Sequence, residues 1–100
     1  MSPADLLREL RSVLETERDA IRRLDSARIT EASRRKEALV AIVAGAVEPE
    51  RTPLLHALAE VRGDLKRNLV LLAHARDFVR DAVERTRART GPGVRVSISL

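Results

Sequence analysis

The side chains able to do chemistry in this 100-residue chain are few and scattered. His56 and His74 lie eighteen residues apart; on one helix that is about 27 Å, so they cannot share a metal within one chain. Glu15, Glu17 and Asp19 alternate like an acidic metal-binding run. At helical spacing, however, the three splay over different faces, and a solvated surface is the expectation. The serines and threonines carry no signature of an activated nucleophile, and there is no Gly-rich phosphate loop. With no cysteine, thiolate metal sites and disulfides are excluded. The residues therefore predict no catalytic, cofactor or metal site, and no enzyme.

Composition narrows the alternatives further. The chain is 44% apolar but has one aromatic residue, Phe78, so its core must be built from Leu, Val, Ile and Ala. Such residues suit close helix packing better than a cavity shaped around a ligand. The net charge of +4 is uneven: residues 1–61 carry −1 and residues 62–100 carry +5. A basic balance invites a nucleic-acid reading. Against it, acidic side chains are interspersed almost throughout, as in Glu17-Arg18-Asp19, and no aromatic platform exists on which bases would stack. No run of about 18 apolar residues occurs, which predicts no membrane span. The opening residues lack the uninterrupted apolar stretch of a signal peptide, so a cytoplasmic protein is expected.

The elements that must position these side chains read as helices almost from end to end. Ser2, Pro3 and Asp5 form a helix start, and Leu6, Leu10, Val13, Leu14, Ile21 and Leu24 make one apolar face. Asp25-Ser26 breaks the register and predicts a kink or short turn, with helices one and two nearly continuous through it. Ile29, Ala32, Leu39, Val40, Val43 and Val47 mark the second stretch, closed by Gly45 and Pro49. Thr52 as N-cap and Pro53 as the first helical residue open a third stretch that runs to about Arg89. Gly91-Pro92-Gly93 ends it, and Val94–Leu100 alternates like a short strand or a loosely packed tail. The fold expected is all-α: an antiparallel bundle or coiled-coil hairpin of three helical stretches in a single domain over residues 1–90, followed by a short tail, 91–100. Leu10, Val13, Leu24, Leu39 and Val43 should face Leu58, Leu65, Leu72 and Val79.

The third stretch holds more apolar surface than one helix face needs. Leu58, Val61, Leu65, Leu69, Leu72, Val79 and Val83 follow three- and four-residue steps, while Leu55, Val70, Leu71 and Phe78 lie off that stripe. A helix apolar around its circumference is buried on several sides, and in so small a chain a partner can supply the second burial. Helix-in-groove recognition, with anchors at i, i+3 or i+4 and i+7, is the mode this pattern suits. Self-association into a homo-oligomer through the same surplus face is the other use of it.

Two families resemble parts of this pattern. The all-helical chorismate mutases are of similar length, and Arg11, Lys36 and Arg51 resemble the cations with which that family holds a dicarboxylate. The first helix departs from that family's Ile-Asp-x-x-Asp run, because Leu10-Arg11-Ser12-Val13-Leu14 lacks the acids. A fuller match comes from the order Leu14-Glu15-x-Glu17, Leu24-Asp25, Ile29 and Arg35-Lys36-Glu37-x-Leu39-Val40. It continues into Arg67-Asn68-Leu69-Val70-Leu71-Leu72 and Ala75-Arg76-Asp77-Phe78-Val79. Across residues 5 to 88 this resembles the FlgN family of flagellar export chaperones. The chain is short for that family, and its asparagine-rich lead-in is reduced here to Asn68. The resemblance implies a cytoplasmic chaperone that binds the C-terminal segment of the hook–filament junction proteins FlgK and FlgL and delivers it to the flagellar type III export apparatus. Asn68, Leu71, Leu72, Ala75 and Phe78 are then the candidate partner-binding residues, with no cofactor implied.

Overall fold

Each helix begins and ends where the chain supplies the means. In the computed structural model, which describes residues 1–90, α1 (Pro3–Arg22) is capped by Ser2, whose Oγ accepts the Asp5 N–H at 3.1 Å. Pro3 occupies a first-turn position that needs no N–H, and the Asp5 carboxylate sits at the positive end of the helix dipole. At the other end the Leu24 N–H donates to the Ile21 carbonyl and the Asp25 N–H to the Ala20 carbonyl, at 3.1 and 3.0 Å. This is a Schellman closure, with Leu24 in the left-handed region at φ 54°. Glycine usually takes that position, since a side chain there costs about 1–2 kcal/mol.

Asp25 is thus not a helix breaker but the N-cap of α2 (Ser26–Gly45), its Oδ1 accepting the Arg28 N–H at 3.2 Å. Of the kink or short turn expected here, the chain makes the short turn, and it reverses completely. Helices α1 and α2 run antiparallel as a hairpin, which brings Glu9 against Arg35 and Glu17 against Ser33. They are not continuous, because the left-handed residue turns the backbone before the second cap starts it again.

A second turn, containing a cis Glu48–Pro49 bond, leads into α3 (Arg51–Glu60). Thr52 is not its cap: that hydroxyl donates to Glu48 instead, and the N-cap position is Glu50, without a capping side chain. The expected third stretch is broken once, at Val61, and resumes as α4 (Arg62–Thr90), so the chain has four helices among the described residues. Two weak helix formers, β-branched Val61 and Gly63, stand at the break. A Cβ added at Gly63 would meet nothing within 4 Å, so this glycine marks no close helix crossing.

The architecture is an all-α bundle running up, down and up, with α3 and α4 parallel to α1. Helix α1 is the centre and packs against each of the other three; α2 and α4 do not pack closely on one another. The aliphatic core is assembled from Leu6, Leu10, Val13 and Leu14 of α1, Ala32, Leu39 and Val43 of α2, and Leu54, Ala57 and Val61 of the third strip. Leu58 and Leu65 pack against it while partly buried. Several expected positions differ. Leu24, on its left-handed turn, is 44% exposed; Val47 lies beyond the end of α2 and is exposed, as is Val79. Most tellingly, Leu69 is 66% exposed and Asn68 takes the buried place one residue earlier. The inward strip of α3 and α4 is Leu54, Ala57, Val61, Leu65 and Asn68, rotated from the one hydrophobicity alone suggests.

Beyond about Arg80, α4 extends past the turn that joins α1 to α2. The described chain measures 65 × 21 × 17 Å with a radius of gyration of 18.5 Å, against about 13 Å for a compact domain of this length. The strand expected at Val94–Leu100 lies outside the described residues. The register of α4 generates a direct test. Leu10→Ala should lower unfolding free energy by about 2–4 kcal/mol in urea denaturation, whereas Leu69→Ala should change it by less than about 0.5 kcal/mol. Equal losses would contradict the register.

Candidate functional site

At the end of the aliphatic core the strip from α1 turns polar. Glu17 stands at a buried helical position between Val13-Leu14 and Ala20-Ile21 and is 1% exposed. A carboxylate taken out of water needs donors around it, and three are supplied from two other helices. Lys36 Nζ of α2 donates to both carboxylate oxygens, at 2.8 and 3.1 Å, and the Ser33 hydroxyl donates to Oε2 at 2.8 Å. Asn68 Nδ2 of α4 donates to Oε1 at 3.0 Å and to the Leu14 carbonyl at 2.8 Å. Arg18 closes the arrangement by donating its Nε to Asn68 Oδ1 at 3.3 Å and lying 3.7 Å from Asp64.

Among the described residues no buried side-chain polar atom is left without a partner. Burial pushes the Glu17 carboxyl upward, but the hydrogen bonds from Lys36, Asn68 and Ser33, together with the Lys36 charge, outweigh it. The carboxyl is held below its ordinary value. It is therefore ionised near neutrality. Glu17 is the bridge through which α2 reaches α4, because those helices do not otherwise pack closely.

The expectation of a solvated acidic face holds for Glu15, which is exposed, but fails for Glu17. The signal was present: Glu17 falls in register with Leu10, Val13, Leu14 and Ile21, where a charge is buried only if met by donors. Asn68 carries the same kind of signal against Val61 and Leu65.

The five candidate partner-binding residues do not form one surface. Asn68 is directed inward and committed to Glu17 and the Leu14 carbonyl, so its amide is unavailable to a partner. Leu72 and Ala75 are half-buried and line a groove of about 410 Å³ between α4 and the α1–α2 turn, shared with Leu24, Ile29 and Val79. Leu71 is half-buried, and Phe78 is 61% exposed beside that groove. The cations weighed for dicarboxylate binding are not gathered. Lys36 pairs with Glu17 and Arg11 lies 3.7 Å from Glu60, while Arg51 opens α3 near the start of α1. His56 and His74 are both exposed on separate helices. Among the described residues, no group of three acidic or histidine side chains is placed to hold a metal ion, and no helix is long and apolar enough to cross a membrane.

Because Glu17 and Lys36 compensate one another, their substitutions should be strongly coupled. Lys36→Met should cost about 2–4 kcal/mol by leaving a buried carboxylate without its cation. Adding Glu17→Gln should restore part of that loss, with a coupling of at least about 1 kcal/mol in a urea-denaturation cycle; simple additivity would contradict the network.

The acid limb gives a second check. A depressed folded pKa contributes stability that is fully present above the unfolded value, near 4.5, and is lost as pH falls through the lowered folded value. The wild-type unfolding free energy should fall in that window, and the fall should be smaller in Glu17→Gln.

Comparison of the chain with protein-family models, with curated proteins and with solved structures found no match.

Proposed function

We propose that this chain is a FlgN-like export chaperone, which holds the C-terminal helical segment of a hook–filament junction protein of the FlgK or FlgL type against the apolar face of α4. The observation that carries the reading is the meeting of its sequence steps. Leu14-Glu15-x-Glu17, Arg35-Lys36-Glu37 and Arg67-Asn68-Leu69 each contribute one side chain, Glu17, Lys36 and Asn68, to a single buried network. Motifs that are weak one by one are tied together physically at one point of the fold.

The remainder of α4 supports the same reading. Past Asn68, apolar side chains stay uncovered on the groove side of an extended helix: Phe78 and Val79 are 61% and 46% exposed. An amphipathic cargo helix laid on this face would have its own apolar side covered and be kept from premature assembly. Delivery to the export apparatus then requires release, which a shallow open surface permits more readily than an enclosed cavity does. The cytoplasmic location belongs to this proposal.

Titration calorimetry with a FlgK-type C-terminal segment tests it. The wild-type chain should bind, and Leu71→Ala with Phe78→Ala should weaken binding at least about tenfold, the loss expected when interface anchors are truncated. The variant should stay folded with only a modest fall in melting temperature, since Phe78 is mostly exposed and Leu71 lies outside the aliphatic core. No binding by the wild-type chain, or unchanged binding by the double variant with a collapsed melting temperature, would contradict the reading.

A further inference from the structure

The groove beside α4 has a floor and an edge of opposite character. Leu24 and Ile29 from the α1–α2 hairpin face Leu72, Ala75 and Val79 of α4, and Arg76 and Arg80 line the same groove. At 100° per residue, positions 72, 75, 79 and 82 of α4 form one strip, with Arg76 and Arg80 along one edge and Arg85 along the other. The acids of this half of the helix, Asp77, Asp81 and Glu84, fall on the opposite side. Arg80 is paired backward to Asp77 at 2.9 Å, while Arg76 has no side-chain partner among the described residues. The apolar strip is thus bordered by one uncommitted guanidinium, Arg76, and by Arg80, whose solvent-exposed pair with Asp77 is weak enough to exchange for a partner's carboxylate.

Leu24 adds an independent observation. It occupies the left-handed position of a Schellman turn, where glycine fits without strain, yet its side chain contributes nothing to the aliphatic core and is 44% exposed. A residue held in an unfavourable conformation without a packing return is a mark of functional use. Its side chain is a wall of this groove.

We propose that the groove binds a short amphipathic helix whose apolar stripe is flanked by Asp or Glu, with Leu24 as a recognition residue and Arg76 and Arg80 selecting the acidic flanks. This names the chemistry of the partner and rests on the chaperone reading above. A second copy of the chain is a poorer occupant, because antiparallel pairing of two such strips sets arginine borders against arginine borders. A nucleic acid would be met by charge without an apolar floor, whereas here the floor is apolar and the charge lies at its edges. An anionic membrane takes up an apolar face with basic flanks, but on a protruding helix, whereas this strip is walled by Leu24 and Ile29 of the hairpin.

The test uses the full chain and two fluorescent peptides with the same Leu anchors at i, i+3, i+4 and i+7, one flanked by Glu and its twin by Lys. In anisotropy titrations the Glu peptide should bind at least about tenfold tighter than its twin, with the difference shrinking as salt rises from about 0.1 to 0.5 M. Arg76→Glu with Arg80→Glu should reverse the preference. Leu24→Gly should weaken the Glu peptide at least about fivefold while leaving the melting temperature equal or higher, a split that a purely structural Leu24 would not show.

Equal affinity for the two peptides, or no binding of either, overturns the proposal. So does binding only to phosphatidylserine vesicles, a dimer in sedimentation that Ile29→Asp dissociates, or peptide binding only after residues 91–100 are removed. If a FlgK-type segment binds the Arg76→Glu/Arg80→Glu variant unchanged, the groove assignment fails and the chaperone reading stands. If the Glu peptide behaves as expected while no junction-protein segment binds, the chaperone reading fails and the groove stands.

Discussion

A carboxylate at the bottom of a helix bundle imposes more order on its surroundings than any leucine does. Apolar contacts tolerate rotation and sliding, because one methyl group replaces another at little cost. The Glu17 carboxylate tolerates neither, since it must find donors at hydrogen-bond distance or remain buried and unpaired. Lys36, Ser33 and Asn68 meet that demand from α2 and α4, and Arg18 and the Leu14 carbonyl complete the partners of Asn68. A buried ionic group of this kind adds little net stability over a well-packed apolar one. Its effect here is to set which residue of α4 faces α1.

That choice propagates outward. With Asn68 fixed inward, Leu69 turns to the outside, and Leu72 and Ala75 come to lie beside the α1–α2 turn. The aliphatic core ends at the network, and the groove begins just past it. Because α2 approaches α4 through Glu17 and not by direct packing, the space between them stays open where the hairpin turns. The open groove beside α4 is a consequence of the polar contact next to it.

The all-α fold, the caps at Ser2 and the end of α2 at Gly45 were legible because local chemistry decides them. So was most of the core, from Leu10 through Val43, since its periodicity is strong. The α1–α2 reversal was harder to read, because it depends on a leucine adopting a conformation that favours glycine. The rotation of α4 was missed for a specific reason: hydrophobic periodicity favours Leu69 over Asn68, and only knowledge of Glu17 reverses that preference. Each polar residue looks solvated when considered alone. They are buried as a set, and the members of that set come from helices fifty residues apart in the chain. Of the candidate surface, Phe78 stood out as an uncovered aromatic, whereas the part of Leu24 in the groove required the fold.

Native-state amide hydrogen exchange addresses the central claim most directly, namely that the Glu17 network is where α4 is anchored. The account predicts that amides of α1, α2 and α4 as far as about Leu72 exchange together, at rates set by global unfolding. Those beyond Arg80, where α4 leaves the bundle, should exchange faster by orders of magnitude without a partner. Protection that stays uniform to the end of α4, or that is lost first around Asn68, would contradict it.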